Sequence, residues 1–228
     1  MQTFKISPSS LTFAWSECQC CYWWKHHGQR QPSMPFPGVF SAMDAAMKRA
    51  LIGQPAENLG MPAGRIVKGQ FFRTTVEPVR GVTLELRGST DIGVEVAAGV
   101  LDIVDNKVAA GKTADHADRY WRQLEAYGLM ASNPTKGPAV EVRNLGLLVW
   151  SPQDMGIRDA NGGWMTGKLR YVNVERRREE FWTFLVEVAT LLGRATPPPS
   201  TDGCATCALR DCAPRAQSDG TPLALAAV

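Results

Sequence analysis

The chain has 228 residues, 44% hydrophobic and 21% charged, with a formal net charge of +3. That length can bury a sizeable core in one domain with an appendage, and the composition excludes a disordered or low-complexity chain. No apolar run approaches the roughly eighteen residues of a membrane span, and MQTFKISPSS lacks the apolar centre of a secretory leader. The expectation is a cytoplasmic protein with no membrane partner. The weak positive charge permits nucleic acid as a partner without arguing for it.

Taken in order, Ser7-Pro8 reads as a helix start, with Ser as N-cap and Pro at the first helical position. The helix should run to about Ser16 and be followed by Cys18, Cys20, Cys21 and the aromatic run Tyr22-Trp23-Trp24. His26 and His27 read as surface or packing residues. Residues 28–38 read as a loop. Ser41-Ala42-Met43-Asp44 has the form of a capping box, opening a helix whose stripe is Met43, Met47, Ala50 and Leu51. After a second loop, residues 54–64, the run Ile66–Val76 reads as the first strand.

The central stretch is 84–130. Two apolar runs, Leu84–Val96 and Val100–Ala109, flank Ala97-Ala98-Gly99 and predict a hairpin. A helix follows from about Ala114 to Ala131. Beyond it, Val140–Trp150 reads as a strand, 151–163 as a loop with the pair Gly162-Gly163, and Leu169–Val174 as the last strand. Arg176, Arg177 and Arg178 open a final helix to about Leu192, striped by Phe181, Phe184, Leu185, Val188, Leu191 and Leu192. Residues 194–199 are a proline-stiffened linker. From Pro214 onward the chain is expected to be disordered.

The chemistry lies in the centre. Asp91 on one run and Asp105 on the next could together hold a hard divalent cation, which prefers oxygen ligands. Side chains alternate along a strand, so Lys107 shares a face with Asp105 and could meet charge developing on a phosphate. Gln123 and Tyr127, four apart, share one helix face. Asp102, three residues from Asp105, should face the other way; Glu95 and His116 are accessories at most. Each acid in isolation is also an ordinary turn or strand-end carboxylate, and Tyr127 with Tyr120 and Leu124 is also an ordinary core stripe.

The ordered set Gly88-x-x-Asp91, Asp105-x-Lys107 and Gln123-x-x-x-Tyr127 resembles the RecB-like branch of the PD-(D/E)XK nucleases. The stretch SPSSLTFAWSECQCCYWW resembles the same branch at its start, although Gln19-Cys20 stands where that branch has Pro-Arg. The resemblance covers the chain from Ser7 to Cys212. It implies an α/β fold: a restriction-endonuclease-like mixed sheet flanked by helices, as one nuclease domain over residues 1–213. Within it, 1–64 would be an N-terminal helical part, 65–193 the core and 194–213 a cysteine segment. It further implies that Asp91 and Asp105, with the Asn106 carbonyl, bind Mg²⁺ or Mn²⁺, that Lys107 assists catalysis, and that Gln123 and Tyr127 position the nucleic acid. Arg176, Arg177 and Arg178 are candidate contacts to the DNA backbone. Some members carry a metal-binding His or Glu on an early helix; Asp44 lies on such a helix here, and its capping role explains it as well.

All six cysteines lie near the ends: Cys18, Cys20, Cys21, Cys204, Cys207 and Cys212. Without an export signal, metal binding outranks disulfides. By resemblance to the iron–sulfur members, which include AddB-type helicase–nucleases and CRISPR-associated exonucleases, Cys18, Cys204, Cys207 and Cys212 would hold a [4Fe–4S] cluster. Cys21 or Cys20 is the alternative to Cys18, and structural Zn²⁺ the alternative metal. The implied activity is metal-dependent cleavage of DNA, as an exonuclease on single strands or ends, in CRISPR adaptation or in recombination, repair or replication. The protein could act as a homo-oligomer or beside a separate helicase, integrase or recombination protein. The competing readings are a non-catalytic DNA-binding or scaffold protein with the same clamp, and a cysteine-based redox sensor.

Overall fold

The computed structural model describes residues 1–29, 37–109, 114–160 and 162–212. The expected disordered tail, part of the 28–38 loop and the side chain of Cys212 lie outside the described residues. Two mixed sheets are flanked by helices. The smaller has the order β1-β4-β3, from β1 (Gln2–Ile6), β3 (Phe71–Val79) and β4 (Val82–Ser89). The larger has the order β2-β5-β6-β7-β8, from β2 (Arg65–Lys68), β5 (Ile92–Ala97), β6 (Val100–Val108), β7 (Glu141–Asp159) and β8 (Gly162–Val174). Of the helices, α1 (Pro8–Glu17), α4 (Ala114–Ser132) and α5 (Arg178–Leu192) enclose the main core with both sheets. The helix α2 (Gln19–His26) meets α6 (Ala205–Cys212), and α3 (Gly38–Leu51) covers the other face of the larger sheet. No helix among the described residues is long and apolar enough to cross a membrane.

Alternation along the strands sorts the two faces. Leu101, Ile103, Leu145, Leu147 and Val149 enter the main core, while Val104 and Leu148 enter the smaller cluster beneath α3 with Ile66, Ile92 and Val94. The same alternation turns Asp105 and Lys107 towards α4 and leaves Asn106 on the α3 side. β6 and β7 are parallel, and α4 makes the crossover between them.

The chain passes between the sheets twice at one corner. The expected strand Ile66–Val76 breaks at Gly69-Gln70 into β2 and β3, and the expected run Leu84–Val96 breaks at Thr90-Asp91 into β4 and β5. The two breaks are locked together: the Gln70 N–H donates to Thr90 Oγ1 at 3.0 Å, and the Thr90 N–H to the Gln70 carbonyl at 3.0 Å. A Cβ on Gly69 would fall 2.0 Å from the Thr90 carbonyl oxygen, so only glycine lets the two backbones meet this closely.

Other expectations are corrected. A strand, β1, precedes the first helix and pairs in parallel with β4. Tyr22-Trp23-Trp24 lies in a second helix, α2. α3 begins at Gly38 behind Pro37, so Ser41 and Asp44 are helix interior and form no capping box. The stretch 151–163 is no loop: β7 and β8 stay paired as far as Asp159 and Gly162, forming a hairpin arm.

Candidate active site and thiolate centre

Asp91 sits at the corner between the sheets, not within a strand. Its Oδ2 accepts the Asn106 N–H at 2.9 Å, just beyond the last β5–β6 pair, Ile92 with Val104. The carboxylate thus continues the ladder where β5 has ended. Gly88, three residues earlier, leaves room for the Tyr127 ring and Pro8; a Cβ there would lie 3.4 Å from the one and 3.0 Å from the other.

Asp105 is 3% exposed. Its Oδ1 accepts the Gln123 side-chain N–H at 2.9 Å, and its Oδ2 is paired with the Lys107 ammonium. Burial pushes its carboxyl up to about 7; Lys107 opposes that and the nearby Asp91 carboxylate adds to it. For Lys107 burial disfavours the charge, but Asp105 outweighs it and holds the ammonium above its ordinary value. The ammonium also lies 4.6 Å from the centre of the Tyr120 ring. Gln123 and Tyr127, expected to face the nucleic acid, are both buried. Gln123 reaches Asp105, and Tyr127 packs in the core, its hydroxyl titration pushed up by burial and then by Asp105 and Asp91.

Beside them lies a cavity of about 540 Å³ between α1, α3, α4 and the end of β6, lined by Asp91, Asn106, Lys107, Tyr120, Phe13 and residues of α3. α3 supplies Asp44 to that lining and places Lys48 beside it. Lys48 Nζ lies 2.7 Å from Asp44 Oδ2 and 2.6 Å from Asp91 Oδ1. Asn106 is 8% exposed, and neither its amide nitrogen nor its amide oxygen has a hydrogen-bond partner. Sequence reading missed Lys48 and the Asn106 side chain; the i,i+4 spacing of Asp44 and Lys48 on one helix was the available signal.

A second constellation joins the two ends of the chain. The sulfurs of Cys18, Cys21, Cys204 and Cys207 all lie within 4.8 Å of one another. The separations are 3.7 Å for Cys18–Cys207, 3.6 Å for Cys21–Cys204 and 3.4 Å for Cys21–Cys207. No disulfide joins them. Cys18 and the alternative Cys21 therefore both take part. Cys20 faces Arg210 instead, at 3.5 Å.

A family model described as the PD-(D/E)XK nuclease superfamily matches residues 22–212. The chain belongs to the PD-(D/E)XK nuclease superfamily. Among curated proteins none matches it. Among solved structures, one described as "Crystal structure of SSO0001" is similar over 86% of this chain and 80% of that one, with 10% identity and a TM-score of 0.48. Membership implies a metal-dependent nuclease with DNA as its substrate. The residues fit that requirement: Asp91 and Asp105 are hard oxygen donors converging beside a cavity, and the unpartnered Asn106 amide faces the same space.

The thiolate centre can be tested for fit in the same way. Around one tetrahedral ion with bonds of about 2.3 Å, sulfurs stand about 3.8 Å apart, close to the separations here. A four-iron cluster would place its irons and sulfides between the thiolates and hold them wider. Among the described residues the donor set is two Cys-x-x-Cys hooks, 18–21 and 204–207.

Other candidates found internal partners. Arg176 makes two hydrogen bonds to buried Glu125, at 3.1 and 3.2 Å, and Arg177 reaches Asp118 at 2.7 Å, which explains both without DNA. Arg178 lines a separate cavity of about 260 Å³ with Trp182. Asp102, left out of the site, is fully buried and held by Arg143 and Asn144. Trp23 and Trp121 are core residues, and His27 stacks on Trp23 at 3.7 Å.

Proposed function

We propose that the chain is a Mg²⁺- or Mn²⁺-dependent deoxyribonuclease of the RecB-like branch, an exonuclease acting on single strands or DNA ends. The observation that carries this reading is that Asp91 and Lys107 line one cavity and that Lys107 is paired with the buried Asp105. Asp91 and Asp105 hold the divalent ion, with the Asn106 carbonyl as a further oxygen donor. An ion held there would supply Lewis-acid chemistry, polarising a phosphoryl oxygen and lowering the pKa of a water nucleophile. Lys107, anchored on its strand and against Tyr120, directs its ammonium at the scissile phosphate and offsets the charge that grows there. Gln123 acts through Asp105 by fixing the orientation of its carboxylate, and Tyr127 supports the same wall from the core. DNA lies along the cavity between α1 and α3.

The two Cys-x-x-Cys hooks hold a structural metal, and their spacing favours one tetrahedral ion such as Zn²⁺ over an iron–sulfur cluster. Four thiolates leave such an ion no open position for chemistry. Iron, sulfide and zinc assays on anaerobically purified protein separate the two: about one zinc per chain is expected, and about four irons with a broad visible band would restore the cluster.

The activity is tested with end-labelled linear and circular DNA, single- and double-stranded, in Mn²⁺. Asp105→Ala and Lys107→Ala should each lower cleavage by about 10³-fold or more while the circular dichroism spectrum is unchanged. Undiminished cleavage by both variants would overturn the assignment. Loss only on linear substrates would be the mark of an exonuclease. A folded wild-type protein that binds DNA yet never cuts it would favour a non-catalytic DNA-binding role.

A further inference from the structure

Lys48 stands where a cation belongs. Its ammonium bridges two carboxylates from different elements, Asp44 on α3 and Asp91 at the sheet corner, at 2.7 and 2.6 Å. Asp91 has only two oxygens, and Oδ2 already accepts the Asn106 N–H. Lys48 therefore covers Oδ1, the Asp91 oxygen that the Asn106 N–H leaves open to a metal ion. In the lining of the cavity beside Asp91, the buried Asn106 amide has both polar atoms unpartnered. A buried amide is rarely left so unless something else completes it.

The two lysines of the site are held differently. Lys107 projects from a strand beneath an aromatic ring, with its side chain 20% exposed. Lys48 projects from α3, much of whose surface faces solvent, and its side chain is 29% exposed. Its four-carbon stem allows the ammonium to swing away without moving the helix.

We propose that Lys48 is an internal counter-cation that occupies Asp91 in the metal-free protein and is displaced when a divalent ion enters, which frees Asp44 and Asp91 together. This rests on the reading of Asp91 as a metal ligand. Lys48 and the ion compete for the same oxygen, so the lysine lowers the affinity of the free protein for metal. A DNA strand in the cavity offers phosphates to the displaced ammonium, and metal and DNA then favour each other's binding.

Mn²⁺ affinity, read from the electron paramagnetic resonance signal of free Mn²⁺ without DNA, tests this. Lys48→Met should bind Mn²⁺ about tenfold more tightly than wild type. Arg49→Met, which removes the same charge one residue along, should change it by less than about twofold. In the wild-type protein, mass spectrometry after brief acetylation should find Lys48 more reactive once Mn²⁺ is added. Equal Mn²⁺ affinity in Lys48→Met and wild type, an equal gain in Arg49→Met, or Lys48 reactivity indifferent to Mn²⁺ would each overturn the proposal while leaving cleavage untouched. Tight Mn²⁺ binding with the expected Lys48 response but no cleavage of any DNA would instead overturn the nuclease reading and keep the displacement.

Discussion

Asp105 shows how a buried acid is kept useful. Its side chain has almost no solvent, so two donors stand in for water: the Gln123 amide at 2.9 Å and the Lys107 ammonium. Its carboxyl is pushed up to about 7, first by burial, so the charged form a metal needs is gained as pH rises through neutrality. Gln123→Leu removes one of the two donors and disfavours the charged form further. The acidic limb of the Mn²⁺-dependent kcat/KM profile should move to higher pH, and activity at neutral pH should fall by about 10²-fold. Unfolding stability should change by only about 1 kcal/mol. A purely structural glutamine would leave the pH profile in place. The shared face of Asp105 and Lys107, and that of Gln123 and Tyr127, was legible from strand alternation and the i,i+4 helix rule; the corner position of Asp91, outside any strand, was not. Nor were Asp44 and Lys48. Ser41 and Asp44 offered a local capping pattern, and nothing in the chain shows which carboxylate will lie opposite a lysine 43 residues away, as Asp91 does.

Elements were legible where periodicity was clean, as in α4 and α5, and illegible where turn residues lie inside paired strands. The stretch 151–163 holds Pro152, Gly156, Gly162 and Gly163, which read as loop chemistry. In the structure the arm pairs through it because bulky rings cover the glycines of the opposite strand. Trp164 lies over Gly156, where a Cβ would come within 2.4 Å of the ring, and Trp150 lies over Gly167 in the same way. The arm begins just past the position where Val149 pairs with Lys107, and its apolar side chains face solvent: Met155 is 70% exposed and Ile157 79%. Little of the core depends on it. Replacing residues 153–166 by an Asn-Gly turn should therefore cost under about 1 kcal/mol in chemical unfolding and preserve cooperativity. A broad or lost transition would mean that the arm, and not the packed sheet beneath it, organises β7 and β8.

At the scale of the whole molecule the question is what keeps its two ends together. The hooks at 18–21 and 204–207 are 183 residues apart along the chain at Cys21 and Cys204, yet their sulfurs touch. The cysteine pattern at the ends was legible because thiolates in a tight loop seek a metal, and so was the idea of a clamp. Which thiols meet was not, since it depends on how α2 docks beside α6. The main core, formed by both sheets with α1, α4 and α5, does not include the hooks. Metal loss should thus act from the ends inward. A strong chelator should lower the unfolding midpoint by about 10 °C, corresponding to a few kcal/mol for a chain of this length. Before that transition, proteolysis should cut between 194 and 212 and leave the core whole. Cys21→Ser should reproduce both effects without chelator, because one missing thiolate opens a four-ligand centre. Cys20→Ser should reproduce neither, because Cys20 faces Arg210. Were Cys20→Ser as damaging as Cys21→Ser, the pairing of hooks described above would be wrong; were chelator without effect on midpoint and proteolysis alike, the ends would be held by the packing of α2 against α5 and α6 alone.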